Sequence, residues 1–255
     1  MPYIETFACV LVFLGVVIFY ISRKIFKHSV AESALNIMAA AQVNTAYFAL
    51  PIFILLFNNV VPVISILLLQ VVVLTTIVLV LIEWDLSAEL KLKELFLKII
   101  PKVIFTNPLV VASLLGLLFS AAHFSVPTVL RNFLQLLGDT AAPLALFSLG
   151  FSLVGDLGRI SGKELWEMIL LILTKIIIAP ALGFLLGYYV FHLSYFWLAS
   201  LVLMAAMPAP KNMFIFAMRY NLDVKRAASV VAFTTLISFV TLNILLMIFH
   251  PALIK

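Results

Sequence analysis

AAMPAPKNMFIFAMRYN, residues 205–221, interrupts an apolar run with two prolines, a lysine and an asparagine packed between Pro208 and Asn212. A proline in a helix interior removes a backbone donor and clashes with the preceding turn, at a cost of about 3 kcal/mol. In hydrocarbon the carbonyls freed by such a break need partners, so non-helical backbone survives at membrane depth only where it is buried in protein or lines a cavity. The stretch therefore reads as a deliberately broken span inside a larger bundle. That reading holds only if the rest of the chain is a membrane protein.

Composition supports this. Of 255 residues, 65% are hydrophobic and 11% charged, against roughly 45–50% and about 25% in soluble domains. Stretches of the length that crosses a hydrocarbon core recur eight times, at about 3–21, 33–57, 62–82, 103–121, 128–154, 168–191, 195–218 and 227–249. Each is too long for a barrel strand, so the expected class is all-α and polytopic. The net charge of +5 does not point to nucleic acid, because the basic residues mark one side of the bilayer. Arg23, Lys24 and Lys27 follow the first span, and Lys91, Lys93, Lys98 and Lys102 the third. Arg159 and Lys163 follow the fifth, and Arg219, Lys225 and Arg226 the seventh. The positive-inside rule makes these loops cytoplasmic and sets both termini outside a cell (inner) membrane. Lys255 lies outside; Arg131, Lys175 and Lys211 fall in or near spans, Arg131 at the outer interface.

The basic cluster follows the first apolar run, which reads as a span and not a cleavable leader. The single cysteine, Cys9, excludes an intrachain disulfide and is expected as a buried thiol. His28, His123, His192 and His250 fall in separate connections, an arrangement that argues against a shared metal site. One connection is long: EWDLSAELKLKELFLKIIPK, 83–102, spaces apolar residues as a cytoplasmic amphipathic helix does. It divides the chain into a three-span part, 1–84, a connection, 85–102, and a five-span part, 103–255.

The two parts share a motif. With Asn44 placed on Asn212, NTAYFAL (44–50) aligns with NMFIFAM (212–218) at the asparagine, at Phe48 and Phe216, at Ala49 and Ala217, and at Leu50 and Met218. The loop charges give the two copies opposite directions, which makes an inverted repeat. Each copy also has proline beside its asparagine: Pro51 after Asn44, Pro208 and Pro210 before Asn212. Paired broken helices in an inverted repeat point to a transporter binding site; the alternative is that each proline only kinks a packed helix.

TNPLVVASLLGLLFS (106–120), LGDTAAPLALFSLGFSLV (137–154) and the segment 205–246 together resemble the auxin efflux carrier family, which includes bacterial malonate and related organic-acid carriers. The resemblance implies a fold like the bile acid:sodium symporters, with two inverted five-helix repeats whose fourth and ninth helices are broken and cross at mid-membrane. Here those are the second and seventh spans. Counted from that match, the chain begins at the family's third helix and holds the whole of the moving transport part with half of the scaffold. Two departures stand out. Ala46 and Ala49 occupy positions where the family has glycines, and alanine favours helix by about 1 kcal/mol, so a milder first break is expected. Lys211 stands where the family more often has an uncharged residue.

Ionisable groups inside spans are costly and need a reason. Lys211 is expected either to face the crossing and pair with a substrate carboxylate or to snorkel to the interface. Lys175 resembles the family's eighth-helix lysine and is expected as an ion-pair or helix tie, with substrate contact second. Asp139 is its candidate partner; it could equally carry a coupling proton, or cap a helix broken before Pro143. Asn44 and Asn212 are expected to serve the broken backbone and the ligand. The reading is a secondary transporter moving small organic anions such as malonate by alternating access, without cofactor, coupled to H+ or Na+, and allowing a homodimer. The alternatives are a non-transporting remnant that binds a ligand or partner and, below it, an intramembrane enzyme, for which neither HExxH nor GxSxG is present.

Overall fold

The computed structural model describes residues 2–87, 101, 105, 108–154 and 162–253. Among these residues every regular element is helical: α1 (Pro2–Ile21), α2 (Val30–Ala41), α3 (Leu50–Phe57), α4 (Val61–Leu68), α5 (Thr76–Leu86), α6 (Pro108–Ala121), α7 (Thr128–Val154), α8 (Gly162–Leu173), α9 (Ala179–Leu185), α10 (Tyr195–Ala205), α11 (Lys211–Arg219) and α12 (Val224–Leu253). Widened π turns at Leu69–Thr75 and Thr174–Ile178 join α4 to α5 and α8 to α9, and a third, Thr45–Ala49, leads directly into α3 after a break from α2. Among the described residues, the stretches 33–57 and 195–218 each comprise two helical pieces separated by a non-helical break, and the other six coincide with one helix or a joined run. Pro2–Phe26, Val30–Ile54, Val61–Leu86, Gly162–Val190 and Val224–Phe249 are long and apolar enough to cross a membrane; Val110–Ala121 and Tyr195–Ala205 are shorter apolar helices. The chain is an all-α polytopic membrane protein. The amphipathic connection expected at 85–102 lies almost wholly outside the described residues, and Asp85 and Leu86 still belong to α5.

The surfaces follow from helical spacing in a lipid solvent. α1 buries Tyr3, Phe7, Val10, Leu11, Leu14 and Ile18, three and four residues apart, and turns Val12, Phe13, Val16 and Tyr20 outward. So apolar an outer face is a liability in water and an ordinary lipid surface in a bilayer. Cys9 is exposed on that face, contrary to the burial expected of it, because helical spacing groups it with Val12, Phe13 and Val16.

Lipid gives helices little hydrophobic reason to associate, so close packing through small residues does that work. α2 is the centre: Ala31, Ala34, Ala39, Ala40 and Ala41 are all buried, and it packs against α1, α5, α8, α11 and α12. Ala199, Ala205, Ala227 and Ala228 play the same part on α10 and α12. α6 and α7 instead expose large side chains, among them Leu118, Val129 and Leu136.

Contacts sort the connections into two ends. At one, Lys163 donates to the Phe26 carbonyl, Asp85 accepts from the Ala31 amide and Tyr220 donates to Glu83. Arg23, Lys163, Arg219 and Arg226 lie there. At the other, Tyr3 donates to the Pro62 carbonyl and Tyr195 to the Phe249 carbonyl. The one-sided charge of the sequence therefore has a spatial counterpart.

Candidate functional site

Both proline-marked spans are fully interrupted. α2 stops at Ala41, Gln42 to Asn44 are non-helical, and helical structure resumes at Thr45. Ala46 and Ala49 themselves lie in the resumed helical turn, Thr45–Ala49, and the interruption is confined to the three residues before it, Gln42, Val43 and Asn44. Pro51 contributes a missing donor one turn into the resumed helix, and the turn ahead of it widens: Ala49 N–H reaches the Asn44 carbonyl at 3.1 Å. The second break covers residues 206–210, between α10 and α11, with Pro210 extended at φ −72° and ψ 138° just before α11.

The breaks touch. Asn44 N–H donates to the Pro208 carbonyl at 2.9 Å. Each is also held by a side chain from a neighbouring helix, as buried backbone requires. Gln70, in the π turn between α4 and α5, accepts from Val43 N–H at 2.6 Å and donates to the Val43 carbonyl at 3.5 Å. Thr234 of α12 accepts from Ala209 N–H at 3.2 Å. The Lys175 ammonium donates to the Ala205 carbonyl at 3.2 Å, satisfying an orphan acceptor at the C-terminus of α10, where a cation is favoured.

A cavity of about 110 Å³ opens where the breaks meet, lined among others by Asn44, Thr45, Tyr47, Pro210, Lys211 and Asn212. That is well above the roughly 10–15 Å³ one water needs by this measure. Lys211 opens α11, is 5% exposed and sets its ammonium 5.0 Å from the centre of the Tyr47 ring, within cation–π range. No described carboxylate pairs with it. A cation at the positive end of a helix dipole gains nothing from the helix; together they favour an anion. The Nδ2 of Asn44 is buried without a hydrogen-bond partner among the described residues, a donor awaiting an acceptor.

The structure thus brings together Asn44, Pro208, Pro210, Lys211 and Asn212, and sets Pro51 one turn away. It does not bring in Asp139 or Lys175. Asp139 is exposed in the middle of α7, which continues through Pro143, so Asp139 caps no helix. Lys175 is fully buried against α10, and no ion pair joins the two. Sequence reasoning missed Tyr47, Gln70 and Thr234. Gln70 had a signal: it is the only amide side chain in an otherwise apolar span, 62–82, and such a group is expensive in lipid unless it has work to do. Thr234 had none that separated it from Thr235 or Thr241.

The chain is similar to "Putative malonate transporter" of Rhizobium meliloti (strain 1021), 28% identical over 141 residues, 55% of this chain and 43% of that protein. It is similar to "Auxin efflux carrier component 8" of Arabidopsis thaliana, 29% identical over 139 residues, 53% of this chain and 37% of that protein. The matched segments span less than half the length of either relative. Residues 1–246 match the membrane transport protein family. A match over nearly the whole chain, on a helical bundle with two interrupted spans in contact, places the protein in that family, the one to which the auxin efflux carriers belong.

Proposed function

We propose that the protein carries small organic anions, malonate or related carboxylates, across the membrane by alternating access around the contact between its two broken spans. The observation that carries this reading is the convergence of the Lys211 ammonium, the unpartnered Asn44 amide and the start of α11 on one cavity between the breaks. A carboxylate there would accept from both side chains, and its charge would suit the helix dipole. Pro51, Pro208 and Pro210 keep the backbone open, and Asn212 shares the lining. The family and the relative named for malonate favour a carrier over an enzyme. The matched asparagine–proline motifs support an inverted repeat, and the basic end of the bundle supports a cytoplasmic assignment with both termini outside a cell (inner) membrane. Lipid bilayer and substrate are the expected partners, with H+ or Na+ as coupling ion and a homodimer compatible with the fold.

The test is uptake of radiolabelled malonate, with succinate, citrate and indole-3-acetate as comparison substrates, into proteoliposomes under imposed pH and sodium gradients. Saturable uptake of at least one acid is expected. No uptake of any of them by protein that elutes as a folded, monodisperse species refutes the carrier reading.

A further inference from the structure

At the basic end of the bundle, three separate elements meet on one carboxylate. Glu167, in the first turns of α8, is 2% exposed. Its Oε1 accepts from Asn36 Nδ2 of α2 at 2.6 Å. Its Oε2 lies 2.9 Å from an Nη of Arg226, on α12, and 2.7 Å from Nε2 of His28, in the turn between α1 and α2. The same Arg226 nitrogen lies 2.7 Å from the same His28 nitrogen. Nδ1 of His28 is 3.2 Å from Glu32 Oε2, and the imidazole stacks at 13° on the Phe26 ring.

These distances cannot all be hydrogen bonds in one protonation state. Nε2 has a single in-plane position, which holds either a proton or a lone pair. In neutral His28 with Nδ1–H donating to Glu32, Nε2 accepts from Arg226, and its approach to Glu167 is bridged only by the guanidinium. In the imidazolium, Nδ1–H still donates to Glu32, and Nε2–H donates to Glu167. Arg226 then meets an N–H with its own N–H and must pivot. It has somewhere to go: its Nε makes no hydrogen bond among the described residues, and Asp223 Oδ2 stands 3.7 Å away. The other charged groups are arranged around this exchange without blocking it. Arg23 donates to the His28 carbonyl, Lys163 to the Phe26 carbonyl, and Asp85 accepts from the Ala31 amide. The His28 side chain keeps 18% of its surface exposed, a route for a proton from solution. Imidazole is the one side chain that ordinarily exchanges a proton between about pH 5 and 8.

We propose that His28 is a proton-binding site whose occupancy exchanges the partners of Glu167 and Arg226, and that, resting on the carrier reading, this proton is the coupling ion. The proton is taken from solvent onto Nε2; the Arg226–His28 contact breaks, the His28–Glu167 bond forms, and no other covalent change occurs. The groups involved sit on α2, α8 and α12, which pack directly on one another and on the broken spans, so a change here reaches the substrate cavity through packed helices.

Histidine-selective 15N NMR on substrate-free protein in nanodiscs tests the site itself. One of four histidine signals, assigned by its loss in His28→Gln, is expected to pass from a neutral tautomer to the imidazolium on acidification. Glu167→Gln should move that midpoint to lower pH and Arg226→Gln to higher pH, with Glu32→Gln as a second carboxylate variant should Glu167→Gln not fold. A His28 signal that keeps one form from about pH 5 to 8, or a midpoint that ignores all three variants, overturns the proposal. Proton flux into malonate-loaded proteoliposomes, read with a pH dye, tests the coupling. Anion flux that moves no protons, or equal protons per anion in wild type and His28→Gln, overturns it. Absence of any anion flux refutes the carrier reading instead, while the NMR titration still decides the site.

Discussion

The backbone amide of Asn44 donates to the Pro208 carbonyl across 2.9 Å, so the two broken spans are joined main chain to main chain. Each break supplies what the other lacks. Pro208 lies beyond the end of α10 with a carbonyl that no helix satisfies, and Asn44 lies beyond the end of α2 with an amide that no helix accepts. A bond between backbones leaves the side chains of Asn44 and Lys211 free to face the cavity.

Lys211→Ala should therefore weaken anion binding. A hydrogen bond to a charged group contributes about 1.5–3 kcal/mol, which corresponds to a rise in KM of roughly 10- to 150-fold. Lys211→Arg should retain part of the affinity because the charge stays. Concentration-dependent malonate uptake measures both. An unchanged KM in Lys211→Ala would assign the lysine to structure and leave Asn44 and the helix terminus as the anion site.

The crossing was legible in sequence because its causes are local: proline removes a donor, and an asparagine beside it inside an apolar run is too costly in lipid to stand without a task. The all-α class and the charged end were legible for the same reason, since hydrocarbon thickness and loop charge act residue by residue. What was not legible depends on register between distant helices. Gln70 reaches Val43 across 27 positions and Glu167 reaches Asn36 across 131, and no spacing rule pairs them. Asp139 and Lys175 looked like partners because both are ionisable and near mid-span, yet one faces outward from α7 and the other inward against α10. The Ser29 and Glu32 capping box that starts α2 was readable as S-x-x-E and overlooked.

Gln70→Leu should destabilise the protein, because the buried Val43 N–H would lose its partner at 2.6 Å and the Val43 carbonyl would keep only the Thr45 N–H at 2.9 Å. An orphaned buried backbone group costs about 1–3 kcal/mol. Thr234→Val should act likewise through the Ala209 amide, with a smaller loss because only one bond goes. Thermal unfolding in detergent, followed by tryptophan fluorescence, gives the order: wild type, then Thr234→Val, then Gln70→Leu. Equal melting temperatures for all three would mean that solvent or the cavity satisfies the broken backbone.

Tyr220, in the connection after α11, is pushed up to about 12 by burial and then by the Glu83 carboxylate, to which its hydroxyl donates at 3.1 Å, with Arg219 opposing. The proton is held more tightly in the folded state. The associated stability is therefore complete below the ordinary tyrosine value of about 10 and disappears as pH rises towards about 12. Tyr220→Phe should melt lower than wild type near neutral pH, by about 1 kcal/mol for the lost bond, and the gap should close in that alkaline window. A gap that stays constant through the window would show that the phenol's proton is not held by the fold.

Lys175 gives the sharpest separation of structure from binding. It is fully buried, donates to the Ala205 carbonyl and does not line the cavity. Methionine keeps the buried volume and orphans only the Ala205 carbonyl, at about 1–3 kcal/mol, whereas truncation to alanine adds a void costing about 2–5 kcal/mol in comparable cores. Lys175→Met should accordingly fold and take up malonate with a KM within about twofold of wild type, a difference of roughly 0.4 kcal/mol. Lys175→Ala should be the less stable of the two. If Lys175→Met instead raised KM as far as Lys211→Ala does, the buried ammonium would have to reach the anion during the cycle, and α10 would have to release its Ala205 carbonyl for that to happen.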